Sequence, residues 1–136
     1  MPLEPGLTYE MTLTVAKEHL ARLTGGDIHV PVLATPVMIA MLEETAHKAL
    51  VPYLAPGQSS VGTLVSVKHL AATPLGMQVR LRAEVLVVEG RRVNFRVEAW
   101  DEVEKIGAGE HERFIIDLDK FIARVERKAA GALTPK

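Results

Sequence analysis

The chain has 136 residues, 48% of them hydrophobic and 24% charged, which suits a single globular domain (residues 1–136) with its own core. A net charge of −1 and an aromatic content of 4% argue against nucleic-acid binding, an anionic membrane surface or a stacking platform for single strands. There is no cysteine, which excludes disulfides, thiolate nucleophiles and cysteine zinc sites and agrees with a reducing cytoplasm.

The opening MPLEPGLTYE has neither the basic nor the apolar region of a signal peptide, and no apolar run reaches the roughly 20 residues of a membrane span. Leu7, Tyr9, Met11, Leu13 and Val15 alternate loosely and predict a strand over 6–15. Ala16 to Leu23 reads as a short helix ended by Gly25-Gly26, and Val30 to Leu33 as a short apolar approach to the main helix. Thr35-Pro36 is a helix start, with Thr35 placed to cap and Pro36 at the first helical position. Pro52 predicts the helix end near Val51.

The second half alternates with period two. Strands are expected over Val61–Leu70, from Met77 to Val87, from Val93 to Ala99, and from about Lys105 to Leu118. Glu89-Gly90 marks a turn, and Gly107 and Gly109 are candidate bulge or bend positions. A last helix is expected over Asp119–Lys128, with Asp117 or Asp119 near its cap, and a frayed tail after it. Consecutive strands with short links imply an antiparallel sheet, and the long apolar helix needs that sheet to bury itself, so the class is α+β.

The long helix carries Glu43 and Glu44 side by side. Ile39, Leu42, Glu43, Ala46 and Leu50 share one stripe, whereas Glu44 falls with His47 and with Lys48, its i+4 partner. This reading turns Glu43 inward. The other reading gives the core face to Val37, Met38 and Met41 and leaves Glu43 outside. An inward carboxylate needs a polar partner. His69, at the end of its strand, is either a core-edge histidine or such a partner, and alternation places it with Val61, Thr63, Val65 and Val67 on a face that should pack on the helix. Gly62 is either a turn residue or a point of close backbone approach. Arg113 reads locally as a solvated strand charge, and the facing of His111 is open. No histidine pair has metal-site spacing, GAGEHE lacks the third glycine of a dinucleotide fingerprint, and no P-loop or GxSxG elbow occurs.

Three blocks, ATPVMIAMLEETAHKAL, SSVGTLVSVKHLAATPLGMQVRLRAEV and VEGRRVNFRVEAWDEVEKIGAGEHERFII, span about 34–116. In their order and spacing the chain resembles hotdog-fold acyl-CoA thioesterases of the fluoroacetyl-CoA thioesterase-like group. The resemblance implies a long helix wrapped by an antiparallel sheet and hydrolysis of a short or small acyl thioester. It implies no cofactor beyond the coenzyme A of the substrate, no metal, and a homodimer with its site at the subunit interface. It further implies a catalytic Thr35, Glu43 and His69, with Gly62, Arg113 and Leu33 on the substrate side. Relatives acting on fluoroacetyl-CoA place phenylalanines before the ATP block, where this chain has GGDIHVPVL and Leu33. The resemblance therefore reaches the reaction class and not that acyl group. The alternatives are a hotdog enoyl-thioester hydratase, whose Asp and His motif is not found here, and a non-catalytic acyl-CoA-binding module.

Overall fold

A computed structural model describes residues 2–22 and 29–132. Strands β1 (Thr8–Thr14), β4 (Gln58–His69), β5 (Gln78–Glu89), β6 (Arg92–Trp100) and β7 (Lys105–Asp117) form one antiparallel sheet in the order β1-β5-β6-β7-β4. Helix α1 (Thr35–Leu50) lies across it, and α2 (Leu118–Ala129) follows the last strand. The class is the expected α+β.

One expectation fails early. The stretch read as a short helix from Ala16 makes only one 3-10 turn, Lys17–His19, and then enters strand β2 (Leu20–Arg22). The Ala16 N–H donates to His19 Nδ1 at 2.8 Å and closes that turn locally. Leu20 pairs with Leu33 of strand β3 (His29–Leu33), so ladder bonds replace helical ones. The apolar approach to the helix is therefore a strand, and Gly25-Gly26 lies outside the described residues.

Alternation builds the core. Val79, Leu81, Ala83 and Val85 of β5 and Val93, Phe95, Val97 and Ala99 of β6 present one fully buried face. Helix α1 covers it with Met38, Leu42, Thr45, Ala46, Ala49 and Leu50. Ile39, expected on that stripe, is only half-buried, and Met38 takes the deepest place near the helix start. The reason lies in β7. A Cβ on Gly107 would come 2.8 Å from Met38 Sδ, so the missing side chain is what admits the thioether. Gly109 similarly lets the backbone of Ser66 approach. Strand β7 is continuous, but its register against β6 steps from Gly107 opposite Ala99 to Lys105 opposite Trp100, so Ile106 is the extra residue of a bulge beside Gly107, near where the sequence reading puts one.

Strand β4 holds the decisive irregularity. Gly62 pairs with Arg113 and Leu64 with Glu112, leaving Thr63 as an extra residue in a bulge. Directly paired residues point to the same face, so Gly62 goes with Arg113, Val65 with His111 and His69 with Gly107. Gly62 and His69 therefore both face α1, although simple alternation puts them on opposite sides. The expectation that Val61 and Thr63 share the face of His69 fails because of the bulge; Thr63 Oγ1 instead donates to the Glu112 carboxylate at 2.6 Å. Nor does α1 cover the whole strand, since Val65 stays exposed.

Helix α2 buries no residue, and Leu118, Phe121, Ile122 and Val125 form an exposed apolar stripe. Asp117 stands at its N-cap position without a capping bond and pairs with Arg91 at 3.3 Å. No helix among the described residues is long and apolar enough to cross a membrane.

Candidate active site

The start of α1 is not capped by Thr35. Ala34 occupies the cap position, and its carbonyl accepts the N–H groups of Val37 and Met38 at 3.1 and 3.0 Å. Thr35 is the first helical residue and Pro36 the second, one place later than expected. The Thr35 hydroxyl is thereby released from the helix end and lies 2.6 Å from His69 Nδ1. The bulge turns His69 toward the helix, and the Leu70 N–H on the Ile106 carbonyl, 2.7 Å, fixes the strand end beside it. His69 Nε2 is buried with no hydrogen-bond partner among the described residues. An orphaned polar atom of this kind costs about 1–3 kcal/mol and marks a place for an incoming group.

This pair opens into a cavity of about 430 Å³ lined by Val32, Leu33, Thr35, His69, Leu70 and Ala71 among others. Leu33 is 1% exposed and is held in place by its N–H on the Thr73 carbonyl at 2.8 Å. The walls are aliphatic. A hydroxyl next to an imidazole, at the mouth of an apolar cavity, is the arrangement in which an oxygen nucleophile is deprotonated on demand.

Glu43 lies elsewhere on the chain. Eight residues along α1 place it about 12 Å from Thr35, at the other end of β4. Its side chain is 37% exposed, and Oε1 is 3.9 Å from Nη1 of Arg113, which is 9% exposed. A Cβ on Gly62 would come 2.6 Å from that oxygen, so Gly62 is the close-approach glycine, not a turn residue. The neighbouring Glu44 pairs with Lys48 at 3.4 Å on the open side, as the i+4 spacing requires.

Arg113 is not the solvated strand charge that local sequence suggests. Its Nε donates to Ser60 Oγ at 2.7 Å, Nη2 to the Ser60 carbonyl at 2.9 Å and Nη1 to His111 Nε2 at 3.2 Å. Burial pulls the guanidinium below its ordinary pKa, with Glu43 acting in the opposite direction, yet it remains a cation. Burial is also the main cause lowering His111, opposed by its bond to the Leu64 carbonyl and reinforced by Arg113. His47, expected beside Glu44 on the solvated side, instead holds Ser60 Oγ at 2.7 Å from its Nδ1. Burial foremost, then Arg113, lowers its pKa.

The fold thus brings Thr35, His69 and Leu33 together at one end of β4, and Glu43, Gly62 and Arg113 at the other. Sequence reasoning missed Ser60 and His47 and left His111 open. The available signal was the i, i+2 spacing of His111, Arg113 and Ile115 on one face of a central strand. No group of three or more His, Asp or Glu side chains among the described residues is placed to hold a metal ion.

Residues 15–119 match the family model described as fluoroacetyl-CoA-specific thioesterase. A fluoroacetyl-CoA thioesterase from Streptantibioticus cattleyicolor is 48% identical over 97 residues, which cover 71% of this chain and 70% of that protein. The solved structure of a fluoroacetyl-CoA thioesterase superposes with a TM-score of 0.90 at 37% identity, covering 99% of this chain and 100% of the other. A threonine-to-serine variant of that enzyme has been solved in complex with acetyl-CoA. A hotdog-like protein from Thermanaerovibrio acidaminovorans superposes with a TM-score of 0.82 at 26% identity, covering 91% of each chain. The five-stranded sheet wrapped on α1 is a hotdog fold.

Proposed function

The chain belongs to the fluoroacetyl-CoA-specific thioesterase family and is a thioester hydrolase acting on acyl-CoA, and from that premise we propose that it hydrolyses short acyl thioesters of coenzyme A through Thr35, His69 and Glu43. The observation that carries this is the 2.6 Å contact between Thr35 Oγ1 and His69 Nδ1 beside an aliphatic cavity. His69 removes a proton from the attacking oxygen and returns one to the leaving CoA sulfur, leaving a free carboxylic acid and a thiol. The attacking oxygen is that of Thr35, or of a water that Thr35 and His69 orient together. Glu43 provides the negative charge and proton acceptor for the water that completes hydrolysis. Pro36 has no N–H and the Val37 and Met38 amides are engaged on the Ala34 carbonyl, so of the first helical turn the Thr35 N–H is the one left for the developing oxyanion. No metal or resident cofactor takes part in this scheme, and the cysteine-free chain suits a cytoplasmic enzyme.

The acyl group enters the cavity under Leu33, Val32 and Ala71, so its class is a small aliphatic chain. A panel of acyl-CoA thioesters from acetyl to hexanoyl, with fluoroacetyl included, tests this by thiol release. Turnover confined to the short members is expected; binding of the panel without release would support a non-catalytic acyl-CoA-binding module. Rapid-quench mass spectrometry separates the two nucleophiles, because an acyl adduct on the Thr35 peptide appears only if its hydroxyl attacks.

The full set requires two copies. Within one chain Glu43 is about two helical turns from Thr35. Strand β4 is twelve residues long, has a neighbour on one side only among the described residues, and exposes Leu64 and Val65. Such an edge favours pairing with a second strand. Antiparallel pairing of two β4 strands about a two-fold axis near Val65–Ser66 sets Gly62 of one opposite His69 of the partner subunit, and with it Glu43 near the partner's Thr35. A monomer in light scattering at assay concentration would overturn the dimer. Co-expressing Glu43→Gln with His69→Ala is expected to restore about a quarter of wild-type activity, since half the dimers are mixed and each holds one intact site.

A further inference from the structure

The corner behind Glu43 fixes the protonation state of a histidine that no part of the scheme above uses. Arg113 is a donor only, so its Nη1 must give a proton to His111 Nε2 at 3.2 Å, and that nitrogen carries a lone pair. The Leu64 carbonyl is an acceptor only, so His111 Nδ1, 2.8 Å away, carries the ring proton. The neutral Nδ1–H tautomer alone satisfies both contacts. An imidazolium would set an N–H against the guanidinium in a site 1% exposed. The geometry also divides the work on Arg113. Ser60 holds Nε and Nη2, while His111 holds Nη1, the nitrogen 3.9 Å from Glu43. Glu43 makes no side-chain hydrogen bond among the described residues, so that ion pair is its tether within the chain.

We propose that His111 is a positioning residue for thioester hydrolysis, tying Arg113, and through it the Glu43 carboxylate, to the backbone of the β4 bulge at Leu64. This rests on the action of Glu43 proposed above. His111 lies outside the lining of its own chain's cavity and bonds to neither Thr35 nor His69, so its effect is expected on the chemical step, through Glu43.

Two amide substitutions separate its two contacts. His111→Gln retains an acceptor near the Nε2 position and keeps Arg113 held. His111→Asn retains a donor near Nδ1 for the Leu64 carbonyl and offers Arg113 nothing. With acetyl-CoA as substrate, His111→Gln is expected to keep kcat within about threefold, and His111→Asn to lower kcat on the order of tenfold or more, each with KM within about twofold. Equal losses in the two variants, or no loss in either, would overturn the proposal, as would a loss of activity that merely follows a fall in melting temperature. Glu43→Gln belongs in the same series. If it keeps full kcat, the premise about Glu43 fails and takes this proposal with it; if it is inactive while Gln and Asn at 111 behave alike, only the role of His111 fails. On the unsubstituted enzyme, nitrogen-15 shifts of the imidazole at pH 6 are expected to report a neutral Nδ1–H ring at His111. A charged ring or the other tautomer would overturn the assignment without requiring any variant to fold.

Discussion

Among the described residues, the His69 ring at the C-terminal end of β4 has one hydrogen bond, to a threonine hydroxyl, and a buried nitrogen without a partner; at the other end, around Gly62, Arg113 has its Nε and both terminal nitrogens engaged, on Ser60 and His111. The first end opens into an aliphatic cavity, and the second is closed by the strands themselves. Both polar clusters lie on the helix-facing side of the sheet, at the two ends of β4, yet they are built for different tasks. An unsatisfied group costs folding energy and is available to a substrate, whereas a saturated one is rigid and can only hold something else in place.

The sharpest way to break this contrast is at the open end. Thr35→Ala and His69→Ala are each expected to lower kcat by about 10²–10⁴-fold while leaving melting within a few degrees of wild type. Thr35→Ser should retain most activity, since the hydroxyl is kept. Steady-state kinetics with melting curves checks this, and a large loss of stability at the open end would erase the distinction. At the closed end, losing Arg113 itself should cost stability and activity together. Arg113→Met leaves His111 Nε2 and Ser60 without their donor and is expected to cost about 2–3 kcal/mol in urea denaturation, along with kcat.

A smaller effect comes from protons. His111 and His47 are neutral in the folded protein with pKa values below the ordinary imidazole value, burial being the largest cause. A base whose folded pKa is depressed contributes stability that is present above its unfolded pKa of about 6.5 and is lost as pH falls toward the folded value. Melting temperature is therefore expected to drop by a few degrees between pH 7.5 and 5.5, and His111→Gln should flatten that slope. The smallest effect is expected at Glu44 and Lys48. Lys48→Ala should change stability by less than about 0.5 kcal/mol and leave kcat alone, because the pair is exposed on both sides.

Much of the architecture is legible because it follows from period. The strands from Gln58 onward and the helix from Thr35 to Leu50 fall close to where alternation and Pro52 place them. Strand β1 is likewise found where 6–15 alternates, but the stretch from Ala16 to Leu33 is not legible, because Ala16–Arg22 has too few residues for a helix with a buried face, and pairing with a later strand decides its form. Helical phase separates Glu43, which points at Arg113, from Glu44, which pairs with Lys48, but it does not bury Glu43: the two side chains are 37% and 41% exposed. Thr35 and His69 are legible as candidates but not as partners, since a cap hydroxyl and a strand-end histidine meet only once the bulge is known. Arg113 is misread locally for the same reason that buried ion pairs usually are: the sequence shows a charge, and the burying elements come from Ser60, Gly62 and α1, far away in the chain. Ser60 has no local signal at all.

Thr63 acts as a parity change in the numbering of β4. Upstream of it the even positions face the helix, and downstream the odd ones do. Gly62, at an even position, and His69, at an odd one, therefore share a face, and one residue more or fewer would exchange the two faces of everything on one side. For anyone grafting this strand or comparing it with another chain by alignment, a single-residue gap near Thr63 is not a neutral edit: it either keeps His69 toward the helix or turns it out to solvent.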